Sequence, residues 1–265
     1  MQANVSIASN RSLAQSLELL FELVKRDLKS KYKNTALGVL WVVIQPLLLA
    51  LFFILITNKF LANSTEHKTN IILMFTIFIL WQFFSTSFQR GAVSIEANGH
   101  LIYRIKFPAI LLPISVTISA FIDLLVNTSL LFLFLLLVKK TIFVNILFLI
   151  PILLISTIFI FALTLIFSIL ICYFADIRHL VPFLTQISLF GLPILFSENV
   201  FPPQIKRVYE NIPLVWMVSK TKEVITTSNF LLTDNTIMVI LISLVLLSFA
   251  CLIFKKLERF VVDYI

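Results

Sequence analysis

The stretch ALGVLWVVIQPLLLALFFILIT, residues 36–57, carries no charged side chain over 22 positions. An α-helix rises about 1.5 Å per residue, so about 20 apolar residues cross a hydrocarbon core roughly 30 Å thick. The segment before it, residues 12–33, is basic and has apolar residues at helical spacing. We therefore expect the chain to begin on one face of a membrane and then to cross it.

The composition is typical of a membrane protein. Hydrophobic residues make up 60% of the 265 positions and charged residues only 13%, against about 25% charged residues in soluble domains. Six charge-poor windows predict an all-α integral membrane fold with six transmembrane helices in one domain, residues 1–265. The predicted spans cover approximately residues 36–57, 70–90, 109–138, 146–174, 180–197 and 235–254.

The segment between the fifth and sixth predicted spans is the most irregular part of the chain. Pro202 and Pro203 precede an apolar patch at 212–218 that is too short to cross a membrane. Such a patch suits a re-entrant segment, which a membrane accepts only where protein or water satisfies the backbone polar groups. An ordinary surface loop with two interfacial turns stays open as the alternative.

The distribution of basic residues predicts the orientation of the chain. When the six spans are drawn, 13 of the 21 Lys and Arg residues fall on the side of the N-terminus. Basic residues near span ends collect on the cytoplasmic side. Both termini are therefore expected in the cytoplasm.

Residues 12–33 predict an amphipathic helix. At 100° per residue, Leu17 and Val24 fall on one face, and Glu22 and Lys25 point in roughly the opposite direction. Such a helix lies in the membrane interface with its apolar face towards the lipid. Packing against another subunit is the alternative.

Residues 26–46, RDLKSKYKNTALGVLWVVIQP, resemble the start of the membrane subunit of ABC exporters for polysaccharides. Further pieces follow in the order of that family: ANGHLIYRIKFPAILLP at 97–113, FADIRHLVPFLTQI at 174–187, NIPLVW at 211–216 and KKLERFVVDYI at 255–265. The resemblance implies the fold of a type-2 ABC export permease. It also implies a homodimer that encloses a path for a lipid-linked glycan and works with two copies of a separate ATPase.

The function implied by the resemblance is export of undecaprenyl-diphosphate-linked polysaccharide across the bacterial inner membrane. O-antigen is the favoured polymer, and capsule and teichoic acid stay open. The chain has four glycines and no GxxxxGK[ST] phosphate loop, so nucleotide binding is not expected here. ATP and Mg²⁺ are expected in the partner ATPase, and we expect neither a cofactor nor an enzyme activity in this chain.

The resemblance also implies where the ATPase makes contact. The connection between the second and third predicted spans is expected to form a short coupling helix with a mixed polar and apolar surface. Its candidate residues are Glu96, Asn98, Gly99, His100, Leu101 and Ile102. A plain connector between two spans is the alternative.

Aromatic residues are the candidates for the substrate path, because an aromatic face stacks on a sugar ring without demanding one hydroxyl pattern. The candidates are Trp41, Phe52, Phe53, Trp81, Phe84 and Phe88. Asp123 joins them, because a charge near mid-span costs roughly 2.5–3.5 kcal/mol on insertion scales and is expected to face a polar interior. A structural hydrogen bond is the alternative role for Asp123.

Four basic residues near the first span are candidates for attracting an anionic lipid diphosphate. They are Lys25, Arg26, Lys29 and Lys31. A role in setting the orientation of the chain and in contacting phospholipids explains the presence of these four residues equally well.

Three other functions stay open. A small-lipid or drug exporter would share the fold. A membrane-embedded polyprenyl-phosphate transferase would need clustered carboxylates that bind a metal, whereas the 13 acidic residues are dispersed. An ion-driven carrier would need several charges inside the membrane. The three scattered histidines predict no metal site, and the net charge of +8 reflects topology more than nucleic-acid binding.

Overall fold

The structure, a computed structural model, describes residues 13–33, 35–60, 71–105, 107–138, 148–193, 202–227 and 233–264. Every regular element in these ranges is helical. Parts of three predicted spans, residues 70, 146–147 and 194–197, lie outside the described residues, as does residue 12.

The described residues form a succession of helices along the chain. A 3₁₀ turn, Gly38–Leu40, stands between the first two. The helices are α1 (Leu13–Tyr32), α2 (Trp41–Phe60), α3 (Ile71–Ala92), α4 (Ser94–Ala97), α5 (Gly99–Ile105), α6 (Leu111–Val138), α7 (Leu149–Tyr173), α8 (Ile177–Gly191), α9 (Pro203–Glu210), α10 (Pro213–Thr227) and α11 (Asp234–Tyr264).

Within the described residues, four segments are long and apolar enough to cross a membrane. They are Gly38–Ile56, Leu111–Leu133, Leu149–Tyr173 and Asp234–Glu258. The third of these is 56% buried inside the chain, whereas the first and last are each 22% buried. The first and last spans therefore leave most of their apolar surface to a lipid environment or to another subunit.

Two helices differ in extent from the predicted spans. Helix α8 has 15 residues, so it is only about 22 Å long at 1.5 Å per residue. Helix α11 continues to Tyr264, ten residues beyond the predicted end at 254. A run without charges marks apolar surroundings and not the end of a helix, so the charged turns after 254 continue the helix beyond the apolar stretch.

The turn between α1 and α2 depends on a glycine. Gly38 has φ +51°, a backbone conformation that costs a residue with a Cβ roughly 1–2 kcal/mol. No neighbouring atom lies within 4 Å of where a Cβ would be. The backbone conformation, and not crowding, therefore explains the glycine at this turn.

Pro46 lies inside α2 and cannot donate to the carbonyl one turn earlier, that of Val42. Asn127 of α6 supplies the missing donor, because its Nδ2 lies 3.2 Å from the Val42 carbonyl oxygen. A freed backbone group inside a membrane needs such a partner. The contact also fixes α2 against α6.

Helix α3 is at the centre of the larger hydrophobic core and packs closely on α7. A Cβ added at Gly91 would overlap the Cγ2 of Thr164 on α7, so only glycine fits at this crossing. On the same side of α3, Phe88 packs edge-on against Phe167, with ring centroids 5.0 Å apart. The α3–α7 contact is therefore close-packed and leaves no room for added volume.

The segment before α11 contains two helices. Helix α9 has no buried residue, whereas α10 buries Val215, Trp216, Met217 and Val218. The indole Nε1 of Trp216 donates to Thr236 of α11 over 3.3 Å. The short apolar patch predicted at 212–218 is thus mostly the start of a 15-residue helix that packs inside the chain.

The end of the chain is attached to its middle. Glu258 accepts a hydrogen bond from the backbone N–H of Ala109 over 2.7 Å, just before α6 begins. The Tyr173 hydroxyl donates to the Leu257 carbonyl over 2.8 Å. The last turns of α11 therefore hold the start of α6 and the end of α7 together.

Candidate functional site

A cavity of about 560 Å³, called the polar cavity below for its charged and amide side chains, lies between the N-terminal helix α1 and the helices α2, α3 and α6. Part of its wall is apolar, from Val42, Ile79, Phe83, Ala120 and Leu124, and the rest is formed by polar residues from all four helices and from the turn between α1 and α2. These are Ser30, Lys31, Thr35, Gln45, Gln82, Thr86, Arg90, Asp123 and Asn127, with the Trp41 indole among them.

Two acidic and two basic side chains form a network of ion pairs at this cavity. Lys31 Nζ lies 2.9 Å from Asp123 Oδ2 and 3.7 Å from Asp27 Oδ2. Arg90 contacts Asp27 over 2.6 Å. Because buried charges are costly unless they are paired, these contacts explain how the charges are accommodated between the helices.

The polar lining follows helical spacing. Gln82, Thr86 and Arg90 are four residues apart on α3, as are Asp123 and Asn127 on α6, so each set lies on one helix face. Gln82 Nε2 donates to Gln45 Oε1 over 3.2 Å and to Thr86 Oγ1 over 3.3 Å. Polar residues at intervals of four in an apolar helix were a sequence signal for this cavity, of whose lining the sequence analysis named only Lys31, Trp41 and Asp123.

Lys31 differs from the other three basic candidates. Its side chain is 9% exposed and paired inside the chain, whereas Lys25, Arg26 and Lys29 are exposed. Lys31 follows Leu28 by three residues and Val24 by seven, so it lies on the apolar face of α1. Lys31 is therefore placed towards the other helices, and the remaining three face outwards.

Arg26 and Lys25 make contacts at the surface of the chain. Arg26 donates to Asn98 Oδ1 over 2.9 Å, which connects α1 to the predicted coupling segment. Lys25 Nζ lies 3.6 Å from Glu22 Oε1, one turn earlier in the same helix. Arg26 therefore has a structural contact in addition to its predicted attraction for phosphate.

The predicted coupling residues lie on α4 and α5 and face two ways. Glu96 pairs with Arg178 of α8 over 2.7 Å, His100 is exposed and Leu101 is half-buried. Gly99 is buried, and Ile102 is only 4% exposed and belongs to the smaller hydrophobic core. Glu96, His100 and Leu101 therefore keep surface that is open to solvent, while Ile102 holds the segment to the chain.

The aromatic candidates do not come together on one surface of the chain. Trp41 lines the polar cavity with Asp123, and Phe52 is exposed. The others lie in or against the core: Phe53 contacts Phe78, Phe84 stacks on Phe88 with centroids 5.6 Å apart, and Trp81 is half-buried. The Trp81 Nε1 is buried and makes no hydrogen bond within the described chain.

In the described ranges, no group of three His, Cys, Asp or Glu residues has the arrangement of a metal site.

Comparison with known proteins identifies relatives along most of the chain. The family model for ABC-2 type transporters matches residues 18–225. An O-antigen export system permease protein RfbA from Klebsiella pneumoniae is 26% identical over 215 residues, which cover 81% of this chain and 82% of the relative. A permease of the same name from Myxococcus xanthus is 34% identical over 109 residues, or 41% of each chain.

Membrane subunits of the matched family are non-catalytic and work with ATPase subunits. The match covers well over half of the 265 residues, and the four long apolar helices agree with a multi-pass membrane protein. The chain therefore belongs to the ABC-2 type transporter family, as a membrane permease.

Proposed function

We propose that the chain is the permease of an exporter that moves undecaprenyl-diphosphate-linked polysaccharide, O-antigen in the first instance, across the bacterial inner membrane. The observation that carries this proposal is the similarity to O-antigen export permeases over 81–83% of the chain. Capsule and teichoic acid remain the alternative polymers within this class.

The assembly in this proposal is a homodimer with two copies of the ATPase, which bind ATP and Mg²⁺. Each permease would cross the membrane six times, with both termini in the cytoplasm and α9 and α10 in the outer half of the membrane. The low burial of the Gly38–Ile56 span, 22%, supports a dimer, because its exposed Phe52 and Leu55 leave an apolar face for a second subunit.

Contacts in the described chain suggest how ATP would act on the permease. The coupling segment begins at Ser94, four residues after Arg90, and Arg90 pairs with Asp27 over 2.6 Å. Asp27 in turn contacts Lys31, which pairs with Asp123. Movement of the coupling segment by the ATPase would therefore be passed to α1 and to the cavity through paired charges.

Deletion of the reading frame in the organism that encodes it tests the proposal. We expect surface polysaccharide to disappear and lipid-linked polysaccharide to accumulate inside the cell, and re-expression of the chain to restore export. Deletion of the partner ATPase is the matched control and should give the same accumulation. Unchanged surface polysaccharide, or loss of a small amphiphile instead, would contradict the proposal.

The proposed orientation has its own test. In a chain with Cys172→Ser and Cys251→Ser, single cysteines placed before Leu13 and in the segment between α2 and α3 should differ in labelling by a thiol reagent that does not cross the membrane. We expect labelling from the outside only at the second position. Labelling of the first position in intact cells would reverse the orientation.

A further inference from the structure

We propose that the polar cavity bounded by α1, α2, α3 and α6 binds one neutral sugar ring, with the Trp41 indole as its stacking surface. The inference rests on the proposed function for the source of the sugar, a glycan under export. Its location is new, because the site lies within one chain and contains Trp41 and Asp123 of the suggested path residues but none of the suggested phenylalanines.

The size of the cavity suits a small ligand. Its volume of about 560 Å³ lies within the range of roughly 300–1,000 Å³ that is common for ligand pockets. Trp41 is 38% exposed, so part of its surface is open to a ligand. An aromatic face with a few convergent polar groups is a common design for binding a ring that has one apolar side.

The polar groups around Trp41 are mainly neutral amides and hydroxyls. An amide has two N–H donors and an acceptor oxygen, and the contact between Gln82 and Gln45 uses one donor and one acceptor. Within the described residues, the Gln45 amide nitrogen and the Gln82 amide oxygen therefore remain for ligand hydroxyls. Thr86 adds a hydroxyl on the same face.

Asn127 provides the most specific observation. The residue is 2% exposed, and its Nδ2 donates hydrogen bonds to the carbonyl oxygens of Val42 and Asp123. Its Oδ1 is buried and accepts no hydrogen bond from the described part of the chain. Because an unsatisfied buried acceptor is unfavourable, this oxygen is suited to accept a hydrogen bond from a hydroxyl in the cavity.

The charges argue for a neutral ligand and against a phosphate. Lys31 and Arg90 are each within 3 Å of a carboxylate, and the four charges of the network cancel. A phosphate near Lys31 would also lie close to Asp123 and be repelled by it. A sugar hydroxyl can donate a hydrogen bond to a carboxylate and accept one from an ammonium or guanidinium group. It can therefore bind beside either member of an ion pair.

Photo-crosslinking at two adjacent phenylalanines tests the inference. Phe83 lines the cavity, whereas Phe84 is equally buried, 3% exposed, and stacks on Phe88 away from it. Each is replaced in the full transporter, as Phe83→p-azidophenylalanine or Phe84→p-azidophenylalanine, in cells fed a tritiated sugar that enters the glycan. We expect tritium on the permease several-fold higher for position 83 than for position 84.

A second pair of variants separates binding from folding. Gln82→Leu removes an amide that lines the cavity, and Gln89→Leu removes an amide two turns away that bonds only to Ser85 among the contacts described. We expect Gln82→Leu to lower the crosslink at position 83 and the export rate several-fold. Gln89→Leu should leave both near the unmodified value, with equal amounts of both variants in the membrane.

The outcomes distinguish this inference from the proposed function. If deletion traps the glycan but positions 83 and 84 label equally, the cavity proposal is wrong and the export function stands. If position 83 crosslinks to ³²P-labelled phospholipid and carries no tritium, the cavity proposal is also wrong, and the cavity binds an anion instead. If deletion leaves export intact, the purified transporter with tritiated octyl glucoside tests the sugar site alone, and equal labelling at both positions refutes it.

Discussion

Helix α3 has two faces that are built in different ways. One face carries Gln82, Thr86 and Arg90 and borders the cavity and the ion pairs. The opposite face carries Phe88 and Gly91 and packs against α7. The first face is held by ion pairs of opposite charge and by amide hydrogen bonds. The second face is held by the close fit of its side chains.

The comparison indicates which side of α3 can rearrange. A close-packed face resists any added volume, because the interior has few voids. Ion pairs and amide contacts can exchange partners at a smaller steric cost. We therefore expect α3 and α7 to move as one body, and α1 to move relative to them through the polar face.

The largest loss of stability is expected from removing a charge on the polar face. Lys31→Met would leave Asp123 and Asp27 without the ammonium that contacts both, and loss of one partner of a buried pair costs about 3–5 kcal/mol. The thermal unfolding midpoint of the transporter in lipid nanodiscs would fall clearly. Lys25→Met, at an exposed site, is the matched control.

The double variant Lys31→Met with Asp123→Leu makes this test more specific. Apolar replacement of both members of a buried pair is often close to neutral, so much of the stability should return. Stability that stays as low as in Lys31→Met alone would show that the charge pairing is not the main contribution of Lys31.

The packed face is tested by Gly91→Ala. The new methyl group would overlap Thr164 Cγ2, and overpacking costs about 1–3 kcal/mol. We expect a lower unfolding midpoint, and recovery when Thr164→Ser removes the opposing methyl group. Failure of Thr164→Ser to rescue would contradict the steric explanation.

A smaller effect is expected at the turn that leads from α1 into α2. Gly38→Ala introduces a Cβ at φ +51°, at a cost of about 1–2 kcal/mol. Gly191→Ala is the control, because no atom lies within 4 Å of its Cβ position and no positive φ applies there. Equal unfolding midpoints for the two variants would exclude backbone strain at Gly38.

The smallest effect is expected from Arg178→Gln. Arg178 and Glu96 are 42% and 30% exposed, and an exposed ion pair contributes about 0.2–1 kcal/mol. The midpoint should change little, and the difference should shrink as salt is added. A loss larger than that of Gly38→Ala would show that the Arg178–Glu96 contact contributes more to stability than an exposed ion pair normally does.

The sequence predicted the parts of the fold that local pattern determines. Runs without charges located the long apolar helices, and the 3.6-residue period located α1. The bounds of α8 and α11 differ from those of the predicted spans, because an apolar window measures hydrophobicity and not helix ends. Pro202 and Pro203 suggested an irregular segment, whereas its described part consists mainly of helices α9 and α10, the second of which buries Trp216.

The site was harder to predict, because its residues come from separate parts of the chain. Lys31 and Asp123 are 92 residues apart, and Asp27 and Arg90 are 63 apart. No local pattern specifies which helices meet. The position of Lys31 on the apolar face of α1 could have indicated a buried partner, and the intramembrane Asp123 was a reasonable candidate for it.

The contact between Glu258 and the Ala109 N–H has a consequence for biosynthesis. Residue 258 leaves the ribosome 149 residues after Ala109, so the backbone just before α6 lacks this acceptor until most of the chain has been synthesised. A nascent permease would form the contact only with the last turns of α11. A chain that terminates before residue 258 would therefore leave this backbone N–H without the carboxylate that accepts it.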